Sequence, residues 1–233
     1  SKALLSVIEL GEKLKKADDL GLVLAGPARY DLARMVARKN KVVAGLVKGI
    51  ATLLKAWNID VVEGQGELLD ARSMMVAGRD GAQRKLEADA IIIAVGSSWP
   101  QPAQFPIDGK QIITSKEALD LEVIPKRMVI LGGGVEGCEC ATFFSGLGTA
   151  VTMIELQPRV LPLEDEEVSV LMERELKKRS VEVKTGTTIK RVDRTADALT
   201  MSMADETTVE ADVVLISIGR GFQSQNIGLD RVG

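Results

Sequence analysis

A cluster of glycines and one acid carry the most chemistry in this chain. In RMVILGGGVEGCECATFFSGLGTAVTMIE, residues 127–155, an apolar run from Met128 to Leu131 meets the turn Gly132-Gly133-Gly134. A helix-forming stretch runs from Val135 to about Leu147, and a second apolar run, Ala150 to Ile154, stops at Glu155. Strand, glycine turn, helix, strand and acid in that order form the pattern of a dinucleotide-binding βαβ unit. Gly132 lets the chain turn tightly off the strand, Gly134 leaves room for a pyrophosphate against the backbone, and Gly137 lets the helix pack on the strand. The helix N-terminus, at Val135 and Glu136, offers free N–H groups and a positive dipole end to the phosphates. A carboxylate at Glu155 accepts hydrogen bonds from the adenosine ribose hydroxyls and repels a 2′-phosphate, so NAD is expected over NADP.

Glu136 is the oddity of this motif. Near a helix N-terminus it favours the dipole, but it also brings negative charge toward the pyrophosphate, which predicts weakened NADH binding. Cys138 and Cys140 are the only thiols. Two apart on a helix, they point roughly 200° apart and cannot bridge without unwinding it, so they read as small apolar residues at helix–sheet contacts. Histidine is absent. General acid–base work near neutral pH then falls to a shifted carboxylate, lysine or cysteine, or lies outside the chain.

Around the motif, apolar residues at 4, 7, 8, 10 and 14 predict a helix within Ser1 to Ala17, broken by Gly21 and Gly26-Pro27. A longer helix is expected from about Ala28 to Trp57, with Leu32, Met35, Val36, Val43, Leu46, Val47, Ile50, Leu53 and Leu54 as its buried stripe. Ile59 to Glu63 reads as a strand ending at Gly64-Gln65-Gly66. Ala71 to Ala77 and Gln83 to Leu86 read as a hairpin about Asp80-Gly81. The unbroken apolar run Ala90 to Val95 predicts a strand buried on both faces. Prolines 100, 102 and 106 mark a linker, with a domain boundary near 97–110. Thr114 or Ser115 caps a short helix. Past the βαβ unit come a loop from Pro158 to Pro162, a helix from Glu164 to Arg179, and a strand from Val181 to Val183. An antiparallel meander follows, at 187–194, 198–203 and 207–210, and then a buried strand from Val213 to Ile218.

The 233 residues suffice for one or two domains with a sizeable core. With 45% hydrophobic and 27% charged residues the composition is that of an ordinary globular protein. A net charge of −3 and 3% aromatics argue against nucleic acid as a partner. No stretch has the length of a membrane span, so no membrane partner is expected. Sparse cysteine suits a reducing, cytoplasmic setting. The chain begins without Met inside an apolar-periodic stretch, and it reads as a piece of a longer protein.

Four segments together resemble the pyridine nucleotide-disulfide oxidoreductase family: SKALL at the start, ADAIIIAVGSSWP, LGGGVEGCECATFFSGLGTAVTMIE, and ADVVLISIGRGFQSQNIGL. Their order and spacing match across nearly the whole chain. The resemblance implies an α/β fold class: a Rossmann-like NAD-binding domain with parallel sheet and antiparallel β-meander, plus part of a flavin-binding domain. It assigns 1–98 to that partial FAD-binding domain, 99–219 to the NAD-binding domain, and 220–233 to the return toward the first. FAD and NAD are the implied cofactors, and electrons pass between NAD, FAD and a dithiol/disulfide. Glu155 and the Gly137 form of the motif are most similar to the NAD-using, lipoyl-oxidising branch, with a mercuric-ion branch and a non-catalytic NADH-binding module as alternatives. The implied partner is a small-molecule or lipoyl-domain disulfide, with a homodimer when the protein is full length.

Matched residue by residue, the resemblance makes Lys2 the ammonium beside the flavin and Glu139 its ion-pair partner, the two catalytic candidates. Gly66 matches a flavin adenosine contact, and Val95, Gly96 and Ser97 match the flavin-side turn. Gly132, Gly133, Gly134, Val135, Glu136, Gly137, Glu139 and Glu155 match NAD contacts, as do Ile189 and Gly219 through their backbones. The family's redox disulfide and first flavin fingerprint would lie upstream, and its His-Glu base pair downstream, so the chain alone is expected to be inactive. Val95 stands where the family has threonine, Glu136 where it has an aliphatic residue, and GRGF where it has GRxP.

Overall fold

The computed structural model describes residues 1–195 and 198–232. In chain order come α1 (Lys2–Leu14), α2 (Leu32–Ala56), β1 (Gln65–Asp70), β2 (Ser73–Ala77), β3 (Gln83–Glu87) and the two-residue β4 (Ser97–Ser98). Next are β5 (Ile112–Thr114), α3 (Ser115–Ala118), β6 (Arg127–Leu131), α4 (Val135–Gly146), β7 (Ala150–Ile154), α5 (Glu166–Lys178) and β8 (Glu182–Lys184). The last elements are β9 (Ile189–Arg194), β10 (Leu199–Met203), β11 (Thr208–Ala211), β12 (Val213–Ile216) and β13 (Gly221–Phe222). They fall into two compact units, one of residues 1–43 and 101–219, the other of residues 44–100 and the chain from Arg220 on.

The first unit is built on a five-stranded sheet in the order β5-β12-β6-β7-β8, parallel throughout. Its strands alternate between two cores. Met128 and Ile130 of β6, Val151 and Met153 of β7, Ile113 and Leu215 point into one, shared with Phe144 of α4, Leu4 and Ile8 of α1 and Leu176 of α5. Val129, Leu131, Ile154, Val214 and Ile216 point into the other, covered by Phe105 and by Ile189, Leu199, Met201 and Met203 of the antiparallel β9-β10-β11 meander. Both faces are buried, which is why these strands read as unbroken apolar runs. The expected α/β fold with a parallel sheet and a meander is what forms. Thr114, rather than Ser115, caps α3: its N–H donates to Glu117 at 2.9 Å in a capping box.

In the second unit β2 and β3 form the expected antiparallel hairpin, Ala77 facing Gln83 across a turn closed by Gly78 N–H to the Ala82 carbonyl at 2.8 Å, and β1 adds a second antiparallel pairing with β2 that the sequence does not predict. β13 pairs with β4. Arg220 locks that pairing: Nε donates to Ser97 Oγ at 2.7 Å, Nη2 donates to the Ser97 carbonyl at 2.8 Å, and the guanidinium lies 4.0 Å over the Trp99 ring.

Several expectations need correction. Ile59 to Glu63 is not a strand, and β1 starts at Gln65, where a strand end was expected. Ala90 to Val95 forms neither a strand nor a buried run; Ile92 is 90% exposed. A β-rich stretch becomes a strand only where another strand offers its backbone, and among the described residues neither segment has one. The stripe of α2 is buried only at Leu32, Met35 and Val36. Its continuation through Val43, Leu46, Val47, Ile50 and Leu53 is exposed. On α1, Leu10 is exposed as well. Periodicity sets which side chains share a face; burial needs a neighbour on that face.

Candidate functional site

The C-terminal ends of β6, β7 and β12 open into a cavity of about 500 Å³. It is lined by Gly132, Gly134 and Val135 of the turn, by Glu155, by Leu161 to Glu164, by Phe105, and by Ser217 to Gly219. Ligands of open parallel sheets bind at this edge.

Each glycine of the turn has its own reason. Gly132 has φ +112°, and a Cβ on it would stand 2.0 Å from the Ser217 carbonyl oxygen, so the close approach of the turn after β6 to the end of β12 admits only glycine. A Cβ on Gly137 would stand 2.1 Å from the Gly132 carbonyl oxygen, so α4 packs directly onto the turn. At Gly134 a Cβ would meet nothing within 4 Å. That space is open to the cavity, beside the α4 N-terminus, which no side chain caps. The loop after β7 closes over the turn through Leu161 N–H to the Gly133 carbonyl at 2.8 Å.

Glu155 is 8% exposed and is held by two backbone donors, Gly133 N–H to Oε2 at 2.6 Å and Gln157 N–H to Oε1 at 2.7 Å. Under the turn, Cys138 Sγ donates to the Gly133 carbonyl at 3.4 Å. Burial, with the Glu155 charge second, pushes the Cys138 thiol up to about 12. Burial, with Glu136 and Glu139 next, pushes Cys140 up to about 12. Both cysteines are free and buried, in keeping with their reading as packing residues.

The structure thus brings Gly132, Gly134, Val135, Glu155 and Gly219 to one cavity, with Gly133 bonded to the acid behind it. Four expected positions stand elsewhere. Glu136 is turned onto α3, where its Oε1 accepts from the buried Ser115 hydroxyl, and it does not line the cavity. Ile189 is buried in the meander core, and its neighbour Thr188 lines the cavity instead. Glu139 faces α1 in a small cleft with Ser1, Leu5 and Phe143. Lys2 is exposed, and among the described residues no ion pair joins it to Glu139. The expected pair is therefore not formed. Gly66, Val95, Gly96 and Ser97 lie in the second unit, Gly66 in β1 and the other three leading into β4.

The sequence reading missed Ser217, Phe105 and the Leu161 to Glu164 rim. Ser217 was accessible in principle, because it directly follows a parallel strand at the edge where ligands bind. Phe105 was not, since proline density marks its surroundings as linker.

Comparison with known proteins gives a consistent pattern. The family model described as pyridine nucleotide-disulphide oxidoreductase matches residues 1–233. The dihydrolipoyl dehydrogenase of Bacillus subtilis (strain 168) is 40% identical over 237 residues, covering 99% of this chain and 52% of that protein. That of Chlorobaculum tepidum is 36% identical, covering 100% and 50%. The crystal structure of LpdA from Mycobacterium tuberculosis superposes with a TM-score of 0.89 at 29% identity, covering 100% of this chain and 51% of that one. The chain spans about half the length of these relatives.

Proposed function

The chain belongs to the pyridine nucleotide-disulphide oxidoreductase family, and on that premise we propose that it is the nucleotide-binding middle of an NAD-linked, FAD-dependent dihydrolipoyl dehydrogenase. FAD and NAD are the cofactors of this family. The reading assigns the cavity to NAD and the electron exchange to a dihydrolipoyl or similar dithiol substrate. The single observation that carries it is the pairing of Glu155 with the Gly132-Gly133-Gly134 turn at the mouth of one cavity.

The residues present fit NAD. The open space beside Gly134 and the uncapped α4 N-terminus form a cradle that a Cβ would partly fill. Glu155, fixed by backbone donors, holds its oxygens ready for ribose hydroxyls and leaves no charge balance for a 2′-phosphate. Leu161 and Phe105, both buried, supply apolar walls, with Val135 and Leu163 exposed at the rim. When bound, NAD supplies the hydride chemistry; the chain's own residues bind, orient and shield it.

The residues matched to FAD do not by themselves make a cradle. Val95 is exposed, and both the hydroxyl and the carbonyl of Ser97 are engaged by Arg220. On this reading the flavin is held mainly by parts of the complete protein outside these residues, which the half-length match to the relatives supports. The proposal extends to a cytoplasmic homodimer, supported for the compartment by two free, buried thiols.

A second reading, an NADH-binding module without chemistry, is favoured by the missing Lys2–Glu139 pair. Purifying the complete protein discriminates. Visible flavin absorbance together with dihydrolipoamide-dependent reduction of NAD is the expected result. A colourless protein that binds NADH and reduces nothing sinks the enzyme reading and leaves the module.

A further inference from the structure

We propose that Ser217 is a binding residue for the nicotinamide half of the dinucleotide, a contact that rests on the reading of the cavity as an NAD site. Ser217 follows β12. Its N–H donates to the Leu131 carbonyl at 2.8 Å, and its own carbonyl closes on Gly132. It therefore borders the glycine turn directly.

The sheet order decides which half of the ligand it meets. β7, with Glu155 at its end, and β12, with Ser217 at its end, flank β6 on opposite sides. β6 and β12 are adjacent although the chain leaves β6 toward β7, so the strand order reverses between them, at the crevice where a ligand crosses. Glu155 takes the adenosine ribose and the turn takes the pyrophosphate. The remaining half of the molecule is then carried over the end of β12.

The Ser217 side chain suits that half. The residue is 6% exposed and lines the cavity, and among the described residues its hydroxyl has no hydrogen-bond partner. A buried hydroxyl without a partner is unfavourable. Its neighbours Leu131, Ile216 and Ile218 carry apolar side chains, and the Leu131 carbonyl already accepts from the Ser217 N–H. Its Oγ is buried, and on this proposal a turn about the single χ1 bond brings the hydroxyl to the ligand. The nicotinamide half presents ribose hydroxyls and a carboxamide, each able to donate and accept. Alanine at this position would satisfy the same backbone and packing, so the hydroxyl is what the ligand would read.

Calorimetric titration of the complete protein and its Ser217→Ala variant with NADH, ADP-ribose and ADP tests this. The variant should bind NADH about tenfold more weakly, the scale of one lost buried hydrogen bond, and ADP unchanged. ADP-ribose loses affinity with NADH if the ribose is the partner and keeps it if the carboxamide is; either supports the proposal. Unchanged NADH affinity overturns it, as does an equal loss for NADH and ADP, which would mark a general disturbance of the turn. If the unaltered protein binds neither NADH nor ADP, the reading of the cavity fails as well, and the two failures are told apart by that control.

Discussion

Glu155 and Gly133 stand 22 positions apart in the chain and meet through a 2.6 Å hydrogen bond from the glycine N–H to Oε2. With Gln157 N–H on Oε1, the carboxylate is fixed by backbone alone. A carboxylate accepts up to about four hydrogen bonds, so each oxygen retains a lone pair after these two are made. The acid is thus oriented before any ligand arrives, and no side-chain entropy is lost when one binds.

Cofactor choice should follow from that fixity. In Glu155→Ala, NADH affinity should fall about tenfold while NADPH affinity holds or rises, because the acceptor and the repulsive charge leave together. Fluorescence titration with both nucleotides checks the ratio. An unchanged NADH-to-NADPH ratio would refute the role of the acid.

The glycines of the turn should separate folding from binding. Gly132→Ala and Gly137→Ala each drive a Cβ into a backbone carbonyl, at 2.0 and 2.1 Å, and should lower stability by about 2–4 kcal/mol. Gly134→Ala meets no protein atom within 4 Å, so its melting temperature should stay near that of the unaltered chain. Its NADH affinity should nonetheless fall at least tenfold, because the methyl stands where the pyrophosphate would approach. Thermal unfolding and NADH titration on the same three variants decide it. Loss of stability without loss of binding in Gly134→Ala would contradict the cradle.

The cysteines should be silent. Both thiols are pushed to about 12 by burial first and by nearby carboxylates second, so the thiolate is scarce at neutral pH. A colorimetric disulfide reagent should react with neither cysteine in the folded protein and with both in denaturant. Rapid reaction of the folded chain would overturn their assignment to packing.

How much of this was legible depended on whether a segment finds its partner inside the chain. Residues 127–155 were readable to within a residue or two, because the turn, the helix and both strands pack on one another. Ala90 to Val95 carried an equally strong apolar signal and yet lies exposed, since no described strand pairs with it. The α2 stripe from Val43 on is likewise exposed. Composition and period report what a segment can bury, whereas burial itself depends on a neighbour that the local sequence does not name. In the site, Glu155 was legible from its distance past the turn. The Glu136–Ser115 contact was not, because it joins residues 21 positions apart through tertiary packing.

Stability should carry an acid-side signature at the start of the sheet. Arg127 on β6 donates to Asp212 from Nη2 at 2.9 Å and from its backbone N–H at 3.0 Å. Burial pushes the Asp212 carboxyl up, but the side-chain and backbone bonds and the charge of Arg127 together outweigh it and hold the carboxyl below its ordinary range. A depressed folded value contributes stability that is complete above roughly pH 4 and is lost as the pH falls through the folded value. Asp212→Asn should therefore melt a few degrees below the unaltered chain at neutral pH, with the gap closing as the pH drops below about 4. A gap that stays constant down to acid would assign the effect to packing instead of charge.

Glu136 stands where the sequence predicts a charge against the pyrophosphate, and its carboxylate is instead turned onto α3. Its Oε1 accepts from the Ser115 hydroxyl, and Ser115 is buried at the start of that helix. The charge still lies in the first turn of α4, where it complements the dipole. Replacing it with an aliphatic residue removes a partner from a buried hydroxyl without clearing anything from the cavity. Glu136→Ile should thus leave the NADH dissociation constant within about twofold while lowering stability by about 1 kcal/mol, the scale of one lost hydrogen bond. In a double-mutant cycle with Ser115→Ala the two losses should be less than additive, because both substitutions remove the same Glu136–Ser115 bond. Chemical denaturation of the two single variants and the double variant, with NADH titration alongside, measures both effects. A several-fold tightening of NADH binding in Glu136→Ile would instead restore the electrostatic role read from the sequence.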